Sequence, residues 1–313
     1  MEIHDDPNWR DRFTLTSAAL TSSERNTLAR AASLGRLVRV SRGAYVAPLP
    51  ATPRSRDLAY RDLVHARHLV ALSPTVFSHA SAASLWRIPR IGPWPDRIHA
   101  LEVAGGGRSA PGLLHHASGQ VDSPDLIDGV AVTSLSRTIL DLARTESMTD
   151  AVVATDAALA GLHLGGRTFR VERQQLLREL EKVGSGRGVR VAKFAIDFSD
   201  SESESPGETL SRLSIERAGL TRPVLQRRFD DEQGRMFVDF WWPDVGVAGE
   251  FDGMGKYLRS EWTKGRSTAE VVLDEKARED RLRRQVSRVA RWGWDVAGSP
   301  SRLGAVLRAA GVR

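Results

Sequence analysis

Three acidic residues near the C-terminal end of the chain have the types and spacing of a metal-dependent hydrolytic site. Asp239 lies in an apolar run that predicts a strand, and Glu250 and Asp252 lie in the next such run. Because side chains alternate along a strand, Glu250 and Asp252 point to the same face, and a hairpin would bring Asp239 close to Glu250. Carboxylates so close repel one another, and a hard cation such as Mg²⁺ or Mn²⁺ relieves that repulsion by binding them. Such a metal activates water and stabilises charge on a phosphate.

A basic residue follows this acidic group. Lys256 lies four residues after Asp252, in a chain that has five lysines and forty arginines. A lysine is therefore an informative choice here, because it could stabilise phosphate charge or position the attacking water. Two other interpretations stay open: the acids could form surface ion pairs with Arg259 or Lys276, or the region could bind DNA without cutting it.

The elements around these residues recur in a known nuclease superfamily. They are a Glu-x-x-x-Arg helix at Glu208 and Arg212, the strand of Asp239, the sequence Glu250-x-Asp252-Gly253, a long helix around 275–283 and a closing strand around 292–296. In this combination, residues 206–312 resemble the PD-(D/E)XK superfamily. More narrowly, they resemble the small domains related to the very-short-patch repair endonuclease.

That resemblance implies a restriction-endonuclease-like α/β/α domain over residues 199–313. It implies catalytic roles for Asp239, Glu250, Asp252 and Lys256, and an Mg²⁺ or Mn²⁺ ion held by Glu208, Asp239 and Glu250. One position departs from the superfamily's short motif, which has a lysine two residues after the second carboxylate. Asp252 occupies that place here, and related domains are expected to share this change, with the basic group moved to Lys256. Whether catalysis survives the change stays open.

One helix and two strands must position these residues. The pattern from Glu208 to Ala218 predicts a helix that ends at Gly219, and the runs 236–243 and 247–253 predict the two strands. The preceding segment, 199–206, is short, polar and acidic, which predicts a flexible linker.

The N-terminal part of the chain is basic. Between residues 21 and 56 there are seven arginines and one acid, Glu24. Such a stretch suits a DNA phosphate backbone, although a solvated helix face explains the charge equally well. The candidate DNA contacts are Arg36, Arg39 and Arg42.

Helix and hairpin signals accompany this charge. Thr21 and Glu24 fit a capping box at the start of a helix. Residues 37–46 have the pattern of two short strands around a turn at 41–43. Helical structure followed by a small basic hairpin predicts a winged helix-turn-helix domain over residues 1–56.

Three segments of this half resemble AbiEi-type abortive-infection antitoxins. They are residues 37–46, which look like the wing of that family, residues 77–83 and residues 130–142. The resemblance covers roughly residues 20–161 and implies a DNA-binding domain, an antitoxin-like mixed α/β middle domain over 57–188, and transcriptional regulation without catalysis in this part. DNA is the expected partner, and a cognate toxin or a second copy of the chain are open alternatives.

The histidines of the middle segment offer a further place to look for chemistry. His65 and His68 are three residues apart, and His115 and His116 are adjacent. We find no well-placed carboxylate partner for these four histidines and expect structural roles. For His79, which lies among small residues, we expect a structural hydrogen bond. Arg137 and Asp141 have the i,i+4 spacing of a helix ion pair.

The composition of the chain limits the classes of protein and of chemistry to which it can belong. The chain has 313 residues, of which 41% are hydrophobic and 27% charged, with a net charge of +6. It contains no cysteine, which excludes disulfides, thiolate metal sites and cysteine nucleophiles. We find no apolar run of about 20 residues and no secretory signal, so we expect no membrane partner and a cytoplasmic location.

Two functions remain in competition. The first is a DNA-binding protein with a metal-dependent endonuclease-like domain that hydrolyses phosphodiester bonds, in phage defence or DNA repair. The second is a non-catalytic antitoxin-like regulator, whose nuclease-like domain only binds DNA or self-associates.

Overall fold

The computed structural model describes residues 1–18, 21–50, 52–71, 73–102, 112–117, 123–253 and 268–313. The chain divides into two compact units, Met1–Ser199 and Asp200–Arg313. Both units combine helices and strands, so the predicted mixed α and β class is confirmed. The finer division near residue 56 stays a prediction. Within the described ranges, no helix is both long and apolar enough to cross a membrane.

The N-terminal unit contains seven α-helices and ten short strands in its described residues. The helices are α1 (Ser22–Ser33), α2 (Pro53–Val70), α3 (His79–Leu85), α4 (Leu135–Thr145), α5 (Met148–Ala160), α6 (Arg173–Val183) and α7 (Val189–Phe198). The strands are β1 (Glu2–Ile3), β2 (Phe13–Leu15), β3 (Val38–Ser41), β4 (Ala44–Val46), β5 (Ile98–Leu101), β6 (Leu113–His116), β7 (Asp125–Ile127), β8 (Val130–Val132), β9 (Leu162–Leu164) and β10 (Arg167–Phe169).

The predicted start of α1 and the predicted hairpin are both confirmed. The Thr21 hydroxyl accepts the Glu24 amide at 3.2 Å, and a Glu24 carboxylate oxygen accepts the Thr21 amide at 2.8 Å, which closes the capping box. Strands β3 and β4 pair antiparallel, and β2 adds a third strand beside β4. Up to residue 50, the described part has one α-helix and two 3-10 turns beside this sheet. The two-helix arrangement of a winged helix-turn-helix therefore stays a prediction.

A buried aromatic residue connects the two small sheets of the middle segment. Phe77 is fully buried and forms backbone bridges to Ala100 and to Val132. Strands β5 and β6 run parallel, as do β1 and β7. Helix α3 follows Phe77 after one residue, so its start lies directly against β5.

The C-terminal unit is built around one four-stranded sheet. Its elements are α8 (Pro206–Arg217), β11 (Val224–Asp231), β12 (Gly234–Trp242), β13 (Val247–Phe251), α9 (Thr268–Arg283), β14 (Arg288–Trp292), α10 (Trp294–Ala297) and α11 (Pro300–Ala310). The strand order is β11-β12-β13-β14, with β14 parallel to β13 and the other pairs antiparallel.

Helices pack on both faces of this sheet. On one face, Val247 belongs to a core with Trp292 and with Leu303 of α11. On the other face, Ala248 packs with Leu282 of α9. Because consecutive strand residues point to opposite faces, these two cores separate into helix, sheet and helix layers. This layering agrees with the predicted α/β/α arrangement, while the specific nuclease fold stays a prediction.

The segment that we predict as a flexible linker is structured in its second half. Ser203 is buried, and its hydroxyl lies 3.1 Å from that of Thr209. The Ser205 hydroxyl accepts the Glu208 amide at 3.2 Å and caps α8, whose first residue is Pro206. Serine at the cap and proline at the first helical position are preferred because the first amides of a helix lack internal partners. The prediction of a flexible linker is therefore wrong for residues 203–206.

Candidate functional site

The hairpin of β12 and β13 brings Asp239 next to the end of β13. Ladder pairing between the two strands runs from Trp242↔Val247 to Phe240↔Gly249. One residue further, an Asp239 carboxylate oxygen accepts the Phe251 amide at 2.8 Å. The predicted proximity of Asp239 to the strand of Glu250 is thus confirmed, and the carboxylate takes the place of a ladder carbonyl where the pairing ends.

Glu208 lies in the first turn of α8, close to this strand end. A Cβ on the neighbouring Gly207 would lie only 2.0 Å from the ring of Phe251, so only glycine permits this approach. The Glu208 carboxylate is buried and accepts hydrogen bonds from the Ser205 hydroxyl at 2.7 Å and from the Glu204 amide at 3.0 Å.

The environment of Glu208 disfavours its charged form. Burial, followed by the nearby negative charge of Asp239, raises the pKa of Glu208 to about 7, although its hydrogen bonds act in the opposite direction. Two carboxylates that repel each other where solvent is partly excluded are a common feature of sites that bind cations or transfer protons. The charges of Glu208 and Asp239 therefore influence each other across this site.

Gln226 is a residue of this site that sequence reasoning missed. Its amide donates a hydrogen bond to Glu208 at 3.1 Å. Its φ of +46° is unusual for a residue other than glycine, and such conformations collect at functional sites. The pairs Leu225↔Phe240 and Arg227↔Val238 show that it lies opposite Asp239. Pairing β11 with β12 as an antiparallel hairpin in the sequence would have placed Gln226 opposite Asp239.

Glu250 is neutralised by two arginines rather than left in a purely acidic cluster. One of its oxygens lies 2.7 Å from a nitrogen of Arg278, and the other lies 2.7 Å from a nitrogen of Arg291. Arg278 comes from α9, and Arg291 lies opposite Glu250 in the parallel β13–β14 pair. The ion pairs that we considered for these acids therefore occur at Glu250 with different partners. A metal bound here would share the carboxylate with two guanidinium groups.

Three further residues of the predicted site, or of the motif around it, have the following positions. The Asp252 amide donates to the Trp292 carbonyl at 2.8 Å, which extends the β13–β14 ladder by one bond. Arg212 is buried one turn after Glu208 on α8. Lys256 and Arg259 lie outside the described residues.

The three candidate DNA contacts are exposed. Arg36 precedes β3, Arg39 lies within it, and Arg42 lies in the turn that leads to β4. Together they carry positive charge along one hairpin, where a phosphate backbone could reach them.

A second group of chemically capable residues lies in the N-terminal unit. In the described part of the chain, one group of three histidine or acidic side chains is close enough to hold a metal ion together, and it consists of His79, His99 and His116. Their candidate ligand atoms all lie within 4.8 Å of one another. The Nε2 atom of His116 is 3.0 Å from Nδ1 of His99, and the rings of His79 and His116 stack with centroids 3.6 Å apart.

One of these histidines has a carboxylate neighbour. Nδ1 of His79 lies 3.1 Å from the Ser78 hydroxyl and 3.6 Å from an oxygen of Asp141. The other Asp141 oxygen accepts a hydrogen bond from Arg137 at 2.9 Å, which confirms the predicted helix ion pair. The hydrogen bond that we expect for His79 is therefore present with Ser78, while its carboxylate neighbour Asp141 was not predicted. Parallel pairing of β5 with β6 is what unites the histidines, and no short sequence window contains all of them.

Burial keeps these histidines neutral. It lowers the pKa of His79 to about 2 and that of His99 to about 4, with the neighbouring histidines as the next cause, and it also lowers the pKa of His116. A neutral imidazole has a free lone pair and is the form that binds metals.

Comparison with known proteins adds little to this picture. No family model and no curated protein matches the chain. Among solved structures, it is similar to the crystal structure of the RV2827C protein from Mycobacterium tuberculosis, with 15% sequence identity and a TM-score of 0.35. The match covers 72% of this chain and 85% of that one. A likeness of this size carries no argument about fold or function.

Proposed function

We propose that this protein binds DNA and hydrolyses phosphodiester bonds with its C-terminal unit, using an Mg²⁺ or Mn²⁺ ion. The observation that carries the proposal is that the buried Glu208 and the partly buried Asp239 both lie at the end of β13, where the charge of Asp239 helps to raise the pKa of Glu208 to about 7. A divalent cation would remove this repulsion and favour the ionised form of both groups.

Each residue of the site has a role in this proposal. Asp239 and Glu208 would hold the ion through hard carboxylate oxygens, and Glu250 would join them from the neighbouring strand. The ion supplies activation of water and stabilisation of phosphate charge. Asp252 would assist the metal or the water, and Lys256 would stabilise the phosphate. Gln226 would orient Glu208 through its hydrogen bond.

The basic hairpin provides the proposed DNA contact. Arg36, Arg39 and Arg42 are exposed along β3 and its turn, and contacts of this kind position a protein on duplex DNA without selecting a sequence. A winged helix-turn-helix in the first 56 residues, and a setting in phage defence or DNA repair, belong to the same proposal.

One observation favours a second function. Both oxygens of Glu250 are paired with arginines, an arrangement that needs no metal to balance its charge. In this alternative, the protein is a non-catalytic AbiEi-type regulator, and its C-terminal unit binds DNA or a second copy of the chain. A cognate toxin would then be a further partner.

The first experiment compares cleavage of plasmid and linear duplex DNA with Mg²⁺, with Mn²⁺ and with chelator. It uses the wild-type protein, Asp239→Asn, Glu208→Gln and the control Asp244→Asn, an exposed acid in the turn between β12 and β13. We expect metal-dependent nicking by the wild type and the control. We expect Asp239→Asn to lose more than about 100-fold, since even groups that only support a metal ligand cost about 10–100-fold.

Binding to the same DNA provides the necessary check on folding. Asp239→Asn should bind DNA as the wild type does while failing to cut it. The nuclease proposal is rejected in favour of the regulator under two conditions. The wild type must fail to cleave DNA with either metal, and all the proteins must bind one promoter-like sequence well above random DNA.

A further inference from the structure

We propose that His79, His99 and His116 form a binding site for a divalent transition-metal ion, with Zn²⁺ as the best match. This site lies in the N-terminal unit and does not depend on the proposed nuclease activity. One ring nitrogen from each histidine lies within 4.8 Å of the other two. Nε2 of His116 and Nδ1 of His99 are 3.0 Å apart. Two nitrogen ligands of a tetrahedral zinc ion, each about 2.0–2.1 Å from the metal, are separated by about 3.3 Å. Small movements of the side chains would therefore complete the coordination.

The backbone around the histidines is built to hold them together. The Ser78 amide donates to the His99 carbonyl at 3.0 Å, and the Ser81 hydroxyl accepts the His99 amide at 2.8 Å. These two bonds join the start of α3 to β5. In the parallel β5–β6 pair, Leu101 lies opposite His116, so His99 and His116 share one face of the sheet. Three separate elements thus deliver one imidazole each.

His79 itself adopts a conformation that costs energy. Its φ is +48°, in the left-handed region, and its side chain is buried. Residues other than glycine rarely take this conformation, and where they do, the strain often accompanies a functional constraint. Here the constraint brings the His79 ring onto that of His116.

Asp141 provides the support that metal-binding histidines usually have. Its Oδ2 atom is buried, has no hydrogen-bond partner among the residues that the structure describes, and lies 3.6 Å from Nδ1 of His79. A histidine that binds a metal through one nitrogen typically donates the other N–H to a carboxylate. With Nδ1 facing Asp141, Nε2 of His79 remains for the metal, and the orphaned oxygen gains its missing donor.

A cavity next to the histidines gives access to the site. His79 and His116 line a cavity of about 230 Å³, together with Asp141 and the arginines Arg137, Arg144 and Arg187. An ion could enter there, and a water molecule or hydroxide could supply its fourth ligand, as in zinc sites with three histidines and an open position. The arginines oppose a weakly held cation. Because they oppose every divalent ion alike, the choice of metal depends on the ligands, and imidazole nitrogens favour Zn²⁺, Co²⁺ or Ni²⁺ over Mg²⁺.

The alternative is a stack of neutral histidines that hydrogen-bond to one another without any ion. To distinguish the two, the full-length protein is treated with chelator, dialysed into excess Mg²⁺, which occupies the proposed carboxylate site of the C-terminal unit, and titrated with Co²⁺ and with Zn²⁺. We expect one ion per chain, visible absorption typical of tetrahedral Co²⁺, and displacement of Co²⁺ by Zn²⁺ but not by excess Mg²⁺. Binding below one ion per chain, or octahedral Co²⁺ spectra, would overturn the proposal without any variant.

Variants then assign the ligands. His99→Gln and His116→Gln should each lower the affinity for Zn²⁺ by more than about 100-fold, and Asp141→Asn by about 10–100-fold. His4→Gln, which removes an exposed histidine, and Asp239→Asn, in the other unit, should bind as the wild type does. Circular dichroism of each metal-free variant establishes that it is folded. Unchanged binding in folded His116→Gln would reject the site, whereas the outcome of the cleavage experiment would leave it untouched.

Discussion

The two regions that could bind metal differ in how their ligand groups tolerate burial. In the C-terminal unit, Glu250 is balanced by two arginines, while Glu208 resists ionisation through a raised pKa. In the N-terminal unit, burial keeps His79 neutral. Neutral imidazoles cost much less to bury than carboxylates do. The histidine group can therefore assemble without counter-charges, whereas the acids need arginines, protons or a cation.

The largest expected effect is that variants of the two regions each lose a different property, Zn²⁺ binding in one case and DNA cleavage in the other. Zn²⁺ should raise the unfolding temperature of the wild type and of Asp239→Asn but not that of His116→Gln. Metal-dependent DNA cleavage should be retained by the wild type and by His116→Gln but lost in Asp239→Asn. At a free Zn²⁺ concentration of 100 times the dissociation constant, the added stability is about 2.7 kcal/mol. Differential scanning calorimetry and plasmid nicking on the same three proteins provide the measurements. Loss of both properties in both variants would mean that the regions are not independent.

Glu250→Gln tests whether the arginine pairs are structural. The substitution leaves Arg278 and Arg291, whose side chains are each 31% exposed, without their shared carboxylate. We expect a loss of about 2 kcal/mol in the free energy of unfolding, less than the roughly 3–5 kcal/mol typical when a fully buried pair is broken.

Glu279→Gln is the matched control for that experiment. Glu279 pairs with Arg283 and Arg291 but is 26% exposed, compared with 11% for Glu250. We expect it to cost less than about 1 kcal/mol in urea unfolding. Equal losses for the two variants would contradict a special structural role for Glu250.

Glu208→Gln sharpens the contrast through its dependence on pH. The folded-state pKa of about 7 exceeds the unfolded value of about 4.3, so the folded state binds more protons between these pH values. The contribution of Glu208 to stability is thus full below about pH 4 and is lost as the pH rises through 7. We expect Glu208→Gln to flatten this decline and to gain about 1–2 kcal/mol relative to wild type at pH 8.

A metal should change the same curve. If Mg²⁺ binds at Glu208 and Asp239, it stabilises the ionised wild type above pH 7 and removes the advantage of Glu208→Gln. Urea unfolding at pH 5 and pH 8, with and without Mg²⁺, measures both effects. No response of the wild type to Mg²⁺ at either pH would remove the main support for a metal at these acids.

The smallest expected effect concerns the basic hairpin. Arg39→Gln should reduce DNA affinity by less than about 1 kcal/mol and lower the slope of log affinity against log salt by about 0.9, the value for one phosphate contact. Arg178→Gln, an exposed arginine on α6, should change neither quantity. Fluorescence anisotropy over a range of salt concentrations gives both numbers. An unchanged slope in Arg39→Gln would place the DNA contact elsewhere.

Several features could be predicted from the sequence because their causes are local. The Thr21 and Glu24 capping box depends on residues three positions apart, and the turn before Ala44 depends on a few more. The hairpin that brings Asp239 to β13 follows from two adjacent apolar runs. The structured cap at Ser205 escaped prediction because the acidic composition of its segment masked the serine–proline signal.

The sequence by itself determined the capping box of α1, the β3–β4 hairpin and the neighbouring strands of Asp239 and Glu250, because hydrogen bonding and side-chain alternation act over short stretches. The closing strand expected at 292–296 instead ends at Trp292, and Trp294 begins α10. Only the tertiary structure decided what these groups face. Glu250 meets Arg291 through a parallel strand pair whose register is not encoded locally. His79, His99 and His116 meet because α3 packs on β5 and β6. Burial, which sets the pKa values of both groups, is a property of packing and not of any short segment.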